Sequence, residues 1–261
     1  MVRVSFILLL VVVSLTASIL GGCGGAVEGT AEWHAQQGDE LNNQGHYNEA
    51  IEECTKAIDL DPNLATAYNN RASAYIEKGQ YDLGISDFSK AIDLDPNLVT
   101  AYNNRASAYI EKGQCNLGIS DCDKAIKLDP NLATAYRNRA SAYRGKGQYD
   151  LEIADYTRAI KLDPGYAWAY INRADAYNDI ERHDLAIADF SKAIDLDPNY
   201  DGTESEASAN SLADAHIKRG FTFKQQGKES EAIADFEKFI TLTDNPQMIE
   251  MARQQITELS K

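Results

Sequence analysis

Along most of the chain, apolar and small residues recur three and four positions apart in short runs. Most runs stop at a Gly or at an Asp-Pro pair. Between Ala65 and Leu98, the residues Tyr68, Ala72 and Tyr75 have the spacing of one face of a helix. Gly79, in the turn Lys-Gly-Gln-Tyr, ends that run. A second stripe follows at Ile85, Phe88, Ala91 and Ile92, with Asp82 placed to cap its start. Asp95-Pro96-Asn97 closes it, because Pro cannot continue a helix and restricts the residue before it. The pattern predicts two helices in each such stretch, and the small residues Ala72 and Gly84 predict a close approach between them.

The stretch is repeated. Residues 99–132 differ from 65–98 at six places in 34. Blocks 31–64, 133–166 and 167–200 align with them without a gap, and a sixth block, 213–246, follows an insertion at 201–212. Residues 247–261 place Met248, Ala252, Ile256 and Leu259 on one face, which predicts a C-terminal capping helix.

The residues Tyr68, Ala72, Gly79, Tyr81, Phe88, Ala91 and Pro96, with their equivalents in the other blocks, resemble the tetratricopeptide repeat, a helix–turn–helix of 34 residues. The resemblance covers 31–246. It implies an all-α, right-handed superhelical solenoid of six repeats plus the capping helix, with the first helices lining a concave surface. One helix pair cannot bury its own stripe, so stacking is obligatory.

Some blocks depart from the pattern. Cys54 and Cys122 replace the aromatic of the second helix, Cys115 replaces the turn Tyr, and Asp244 replaces the terminal Pro. Glu181 replaces the turn Gly. Glu152 stands where Ala50, Gly84, Gly118, Ala186 and Ala232 stand elsewhere. Two outcomes are open for Glu152: loose packing around it, or an ion pair with a basic neighbour such as Arg144.

Charge adds one strict regularity. Arg71, Arg105, Arg139, Arg173 and Arg219 sit on the packing side of the first helix. Each is followed 16 residues later by Asp87, Asp121, Asp155, Asp189 and Asp235 respectively. The first block has Gln37 and Glu53 instead. A cation beside Tyr68 and Tyr75 must find an anion or keep its tip in water, so an Arg–Asp ladder is expected, linking paired or adjacent helices.

The opposite stripe of the first helix is Thr66, Asn69, Asn70, Ser73 and Glu77, and the family's geometry puts it on the concave surface. The sixth place of each block reads Gln36, Asn70, Asn104, Asn138, Asn172 and Lys218. An amide donates and accepts at once, which suits the main chain of an extended peptide. Duplication would copy the same row whether or not it binds anything. Along this face Glu32, Asp39, Glu77 and Glu111 are acidic, Arg137 and Arg144 are basic, and Trp168 lies beside Asp175 and Asp179. Trp and Arg are enriched among binding hot spots, which singles out Arg137, Arg144 and Trp168. The carboxylate-clamp subgroup of the family requires a Lys that the first helices of blocks one to three lack, so a reader of chaperone tails is not expected.

The N-terminus reads as an address. Arg3 precedes 17 uncharged residues, Val4 to Leu20, in the layout of a secretory signal over 1–22. Leu20-Gly21-Gly22-Cys23 resembles a bacterial lipobox, and that resemblance implies cleavage before Cys23 and acylation of it. Acyl chains there would anchor the protein stably. Gly24 stands where the inner-membrane retention signal would be Asp, so the implied location is the extracytoplasmic face of the outer membrane, or of the cell membrane where there is no outer one. The Gly-rich linker 23–30 would hold the repeats close to the bilayer.

The 261 residues carry 25 Lys+Arg against 40 Asp+Glu, a net charge of −15. That balance argues against nucleic acid as a partner. The four Cys form no CxxC and no Cys/His pair has zinc spacing, so no metal or cofactor is expected. Cys115 and Cys122 would lie about 10 Å apart on a helix, too far for a disulfide, and free Cys usually packs as a small hydrophobe. No nucleophile–base–orienter set is visible. The expected function is therefore a non-enzymatic scaffold that receives a peptide or protein in its concave groove. This resembles bacterial repeat lipoproteins that assist envelope or pilus assembly. The alternative is a solenoid that self-associates through its end, its convex face or its insertion.

Overall fold

The structure is a computed structural model and describes residues 26–196 and 212–261. The lipobox with Cys23 and most of the insertion lie outside the described residues. Those described are helical, with no strand among them. The helices are α1 Ala31–Asn43, α2 Tyr47–Leu60, α3 Ala65–Glu77, α4 Tyr81–Leu94, α5 Val99–Glu111, α6 Cys115–Leu128, α7 Ala133–Gly145, α8 Tyr149–Leu162, α9 Ala167–Asp179, α10 His183–Leu196, α11 Leu212–Gln225, α12 Glu229–Leu242 and α13 Pro246–Leu259. They form two compact units, the first ending at Ala101 and the second beginning at Tyr102.

Within the first unit α1 packs on α2, α3 on α4, and α2 and α1 on α3. Within the second, α7 packs on α8, α9 on α10 and α11 on α12. The pairs are joined by α6 on α7, α8 on α9 and α10 on α11, and α13 closes on α12. This is the paired, stacked, all-helical architecture that the repeat implied.

Local chemistry sets the punctuation. The turn glycines at 45, 79, 113, 147 and 227 all have φ between 65° and 78°, a left-handed conformation that costs Gly little. Glu181 keeps that conformation, at φ 60°, with a side chain. Asp61, Asp95 and Asp129 leave their helices in extended conformation. Each aspartate's Oδ1 accepts from the main-chain N–H two residues on, at 2.9 Å. Asp82 does not cap α4: Gln80 is the flanking residue, and Asp82 lies in the first turn, where its charge favours the helix dipole.

The core is narrow and alanine-rich. Ala72, Ala74, Ala106, Ala140, Ala174 and Ala176 are fully enclosed, and Phe88, Tyr156, Phe190 and Phe236 fill the space on the second helices. A side chain on Gly84 would meet Ile76 Cδ1 at 2.5 Å and the Ala72 carbonyl at 3.0 Å, which is the close approach expected of these small residues. Cys54 and Cys122 are buried with their thiols pushed up to about 12 by burial, while Cys115 is only half-buried. Gly38 makes room for the Cys54 sulfur, which would lie 2.3 Å from an added Cβ. On the capping helix Ala252 is buried and Met251, Ile256 and Leu259 pack against the sixth repeat. Met248 is exposed, so Met251 holds the place expected of Met248. Leu212 is buried and opens α11, one residue inside the segment read as inserted.

Candidate partner-binding face

The packing side of the first helices is organised by the arginines. Arg71 donates from Nε and Nη2 to both Asp87 oxygens, at 2.7 and 3.0 Å. The same bidentate fork joins Arg105 to Asp121, Arg139 to Asp155, Arg173 to Asp189 and Arg219 to Asp235. The guanidinium also lies over the flanking rings, as with Tyr68 and Tyr75 around Arg71. Its Nη1 reaches the preceding repeat: Thr55 from Arg71, Asp123 from Arg139, Thr157 from Arg173 and Ser191 from Arg219. The ladder therefore joins both paired and adjacent helices. In the first repeat Glu53 is held by His34 and Lys56, and Gln37 turns to Glu40.

His34 and His216 stand where inner repeats carry Tyr, as at Tyr68 and Tyr136. Those two hydroxyls donate to the carbonyls of Pro62 and Pro130 in the loop before their own helix. No Asp-Pro-Asn loop immediately precedes the first or sixth block in sequence. Each histidine instead turns to the acid of its own second helix, Glu53 or Asp235, at 2.6 and 2.7 Å. Asp235 is held below the usual carboxylate range: burial pushes it up, but Arg219 and His216 outweigh that.

On the other side of the first helices, the asparagines are engaged within the protein. Asn70 Nδ2 donates to the Ala35 carbonyl at 3.1 Å, and Asn42 Nδ2 to the Asn70 carbonyl at 2.8 Å. In the second unit Asn138 is 6% exposed, and its amide donates to the main-chain and side-chain oxygens of Asn103. Asn104 Oδ1 accepts from Asn103, and Asn172 bonds back to the Trp168 carbonyl in its own helix. The main chain that Asn70 and Asn138 bind is that of the preceding first helix.

Lys218, last in the same row, sits 2.8 Å from both Asp175 and Asp214. Burial works to lower it, but the two carboxylates hold it above its ordinary value. Burial pushes Asp175 and Asp214 up. Arg144 is a counterion as well. Its Nη1 donates to Glu152 at 2.9 Å and its Nη2 to Asp179 at 3.0 Å. Of the two outcomes open for Glu152, the ion pair is the one found.

Arg137 and Trp168 are brought together, with the guanidinium 5.6 Å from the indole. Trp168 stacks on Tyr166 at 5.8 Å and meets Tyr156 edge-on, while Arg137 donates to the Tyr166 hydroxyl at 3.3 Å. Sequence reading passed over Tyr166. Its signal was there: the same position in earlier blocks is Leu64, Leu98 and Leu132.

Family models described as tetratricopeptide repeats match residues 103–167, 167–200 and 213–246, and one described as TPR repeat matches 38–79 and 72–113. The chain belongs to the tetratricopeptide-repeat family.

Among solved tetratricopeptide-repeat structures, MamA is similar at 27% identity, with 62% of this chain and 94% of that one covered and a TM-score of 0.57. YrrB, described as a TPR protein with an unusual peptide-binding site, is 23% identical over 65% of this chain and 87% of its own, with a TM-score of 0.54. PilW, described as a type IV pilus biogenesis factor, is 18% identical over 86% and 99%, with a TM-score of 0.73. At these identities YrrB and PilW show the fold alone. No curated protein sequence matches the chain.

Proposed function

We propose that this tetratricopeptide-repeat chain is a non-enzymatic scaffold that binds a peptide or partner protein on the first-helix face of its second unit, and that acylated Cys23 holds it on a bacterial cell envelope. The observation that carries the binding reading is the Arg137–Trp168–Tyr166 cluster. It puts a half-buried indole and a cation at one spot on the first-helix face. An indole platform with a cation beside it offers a partner rigid apolar area and hydrogen-bond donors together. The anchoring reading rests on Leu20-Gly21-Gly22-Cys23, and envelope assembly is the role such placement suits.

The test is capture of partners from detergent-solubilised native membranes by the wild type, Arg137→Glu and Trp168→Ala, with helicity and melting checked first. Loss of the same specific partners from both variants supports the reading. An unchanged set rules out this cluster as the site. Metabolic labelling with palmitate that persists in Cys23→Ser would overturn the anchor.

Self-association is the second reading. Leu117, Leu151 and Leu185 stand 49%, 46% and 43% exposed at the same place on successive second helices of the second unit. A concentration-dependent dimer abolished by Leu151→Lys and untouched by Arg137→Glu would favour it.

A further inference from the structure

Glu152 is a glutamate with no exposed surface, at a place where other repeats carry Gly or Ala. One oxygen, Oε1, is held by Arg144 Nη1 at 2.9 Å, and the other, Oε2, is buried with no partner. Arg144 is itself divided, because its second nitrogen reaches Asp179 on α9, in the next repeat, at 3.0 Å. The groups facing Glu152 are Arg144 from α7, Tyr156 from its own helix, and Asp179 and Asp175 from α9. Asp175 is in turn tied to Lys218 of α11. Asp179 of the fifth repeat thus shares one guanidinium with Glu152, and Asp175 adds its charge nearby.

We propose that Arg144 and Glu152 form a proton-operated latch at the junction of the fourth and fifth repeats. With Glu152 charged, its carboxylate holds Arg144 back in the fourth repeat. With Glu152 protonated from solvent, the guanidinium is given over to Asp179. A buried carboxylate with one bare oxygen is costly unless fully paired, and neutralisation removes that cost. Burial pushes Glu152 up to about 7, with Arg144 opposing and the aspartates of α9 adding to the rise. An open junction returns Glu152 to its ordinary value of 4.5. Between those two values the closed junction binds the extra proton, so closure strengthens as pH falls and weakens as pH rises toward neutrality.

The latch does not depend on the partner-binding reading, and its test uses the full chain alone. Glutamate carboxyls are labelled with carbon-13 and titrated by NMR in the wild type and in Glu152→Gln. One carboxyl should titrate within about one unit of pH 7 and be missing from the variant. Amide exchange across α8 and α9, corrected for intrinsic rate, should report junction opening that rises about twenty-fold between roughly pH 5.5 and 7.5 in the wild type relative to the variant. If Glu152→Gln does not fold, the pair Arg144→Ile with Glu152→Gly serves the same comparison. The latch is overturned if every glutamate titrates below about pH 5.5, or if wild type and variant open with the same pH dependence.

Discussion

Arg144 and Glu152 occupy, eight residues apart, the two positions that Ile76 and Gly84 occupy two repeats earlier. A guanidinium meets a carboxylate at 2.9 Å where, in the second and third repeats, an isoleucine side chain lies over a glycine. Both halves of a packing pair have been exchanged, apolar for ionic. Removing one half should therefore be worse than removing both. Arg144→Ile alone leaves Glu152 buried without its counterion and should cost about 3 kcal/mol above neutral pH. The double change to Ile and Gly restores the earlier pair and should be at least as stable as the wild type. Urea unfolding of the three proteins at one pH checks the order.

The Arg–Asp ladder should show strong coupling. In a double-mutant cycle on Arg105 and Asp121, each single change to Ala is expected to cost about 3–5 kcal/mol, because it strands the other charge in a half-buried place. The double mutant should cost clearly less than the sum. Additive losses would count against the fork seen between them.

Asn138 and Asn172 share a place in the repeat but should behave differently. Asn138 bonds to the preceding first helix, so Asn138→Ala should cost about 1 kcal/mol or somewhat more. Asn172 bonds only within its own helix, and Asn172→Ala should stay within about 0.5 kcal/mol. Chemical denaturation measures both. Equal effects would remove the distinction between a bond across helices and a local one.

Glu181 holds a left-handed turn that Gly holds elsewhere. Glu181→Gly should stabilise the protein by about 1 kcal/mol, since a side chain in that conformation costs about 1–2 kcal/mol. A melting temperature that does not rise would show that the strain is relieved elsewhere.

What the sequence by itself determined was the local and the periodic. Two helices per 34 residues, their turns at Gly79 and its equivalents, and their ends at Asp-Pro-Asn follow from backbone preferences that act over a few residues. The Arg–Asp pairing was also legible, because a spacing of 16 recurs unchanged in five blocks. Tertiary structure decided what a polar side chain does once it is on a face. The residues around Asn70 and Asn138 place them on a polar stripe. Whether their amides face solvent or a neighbouring carbonyl depends on where residues some 35 positions earlier come to lie. In the same way, spacing alone could not divide Arg144 between Glu152 and Asp179, nor bring Tyr166 under Arg137. Hydrogen-bond capacity is a property of the residue, but its use is a property of the neighbours that packing supplies, and in a stacked repeat many of those neighbours belong to an adjacent helix pair.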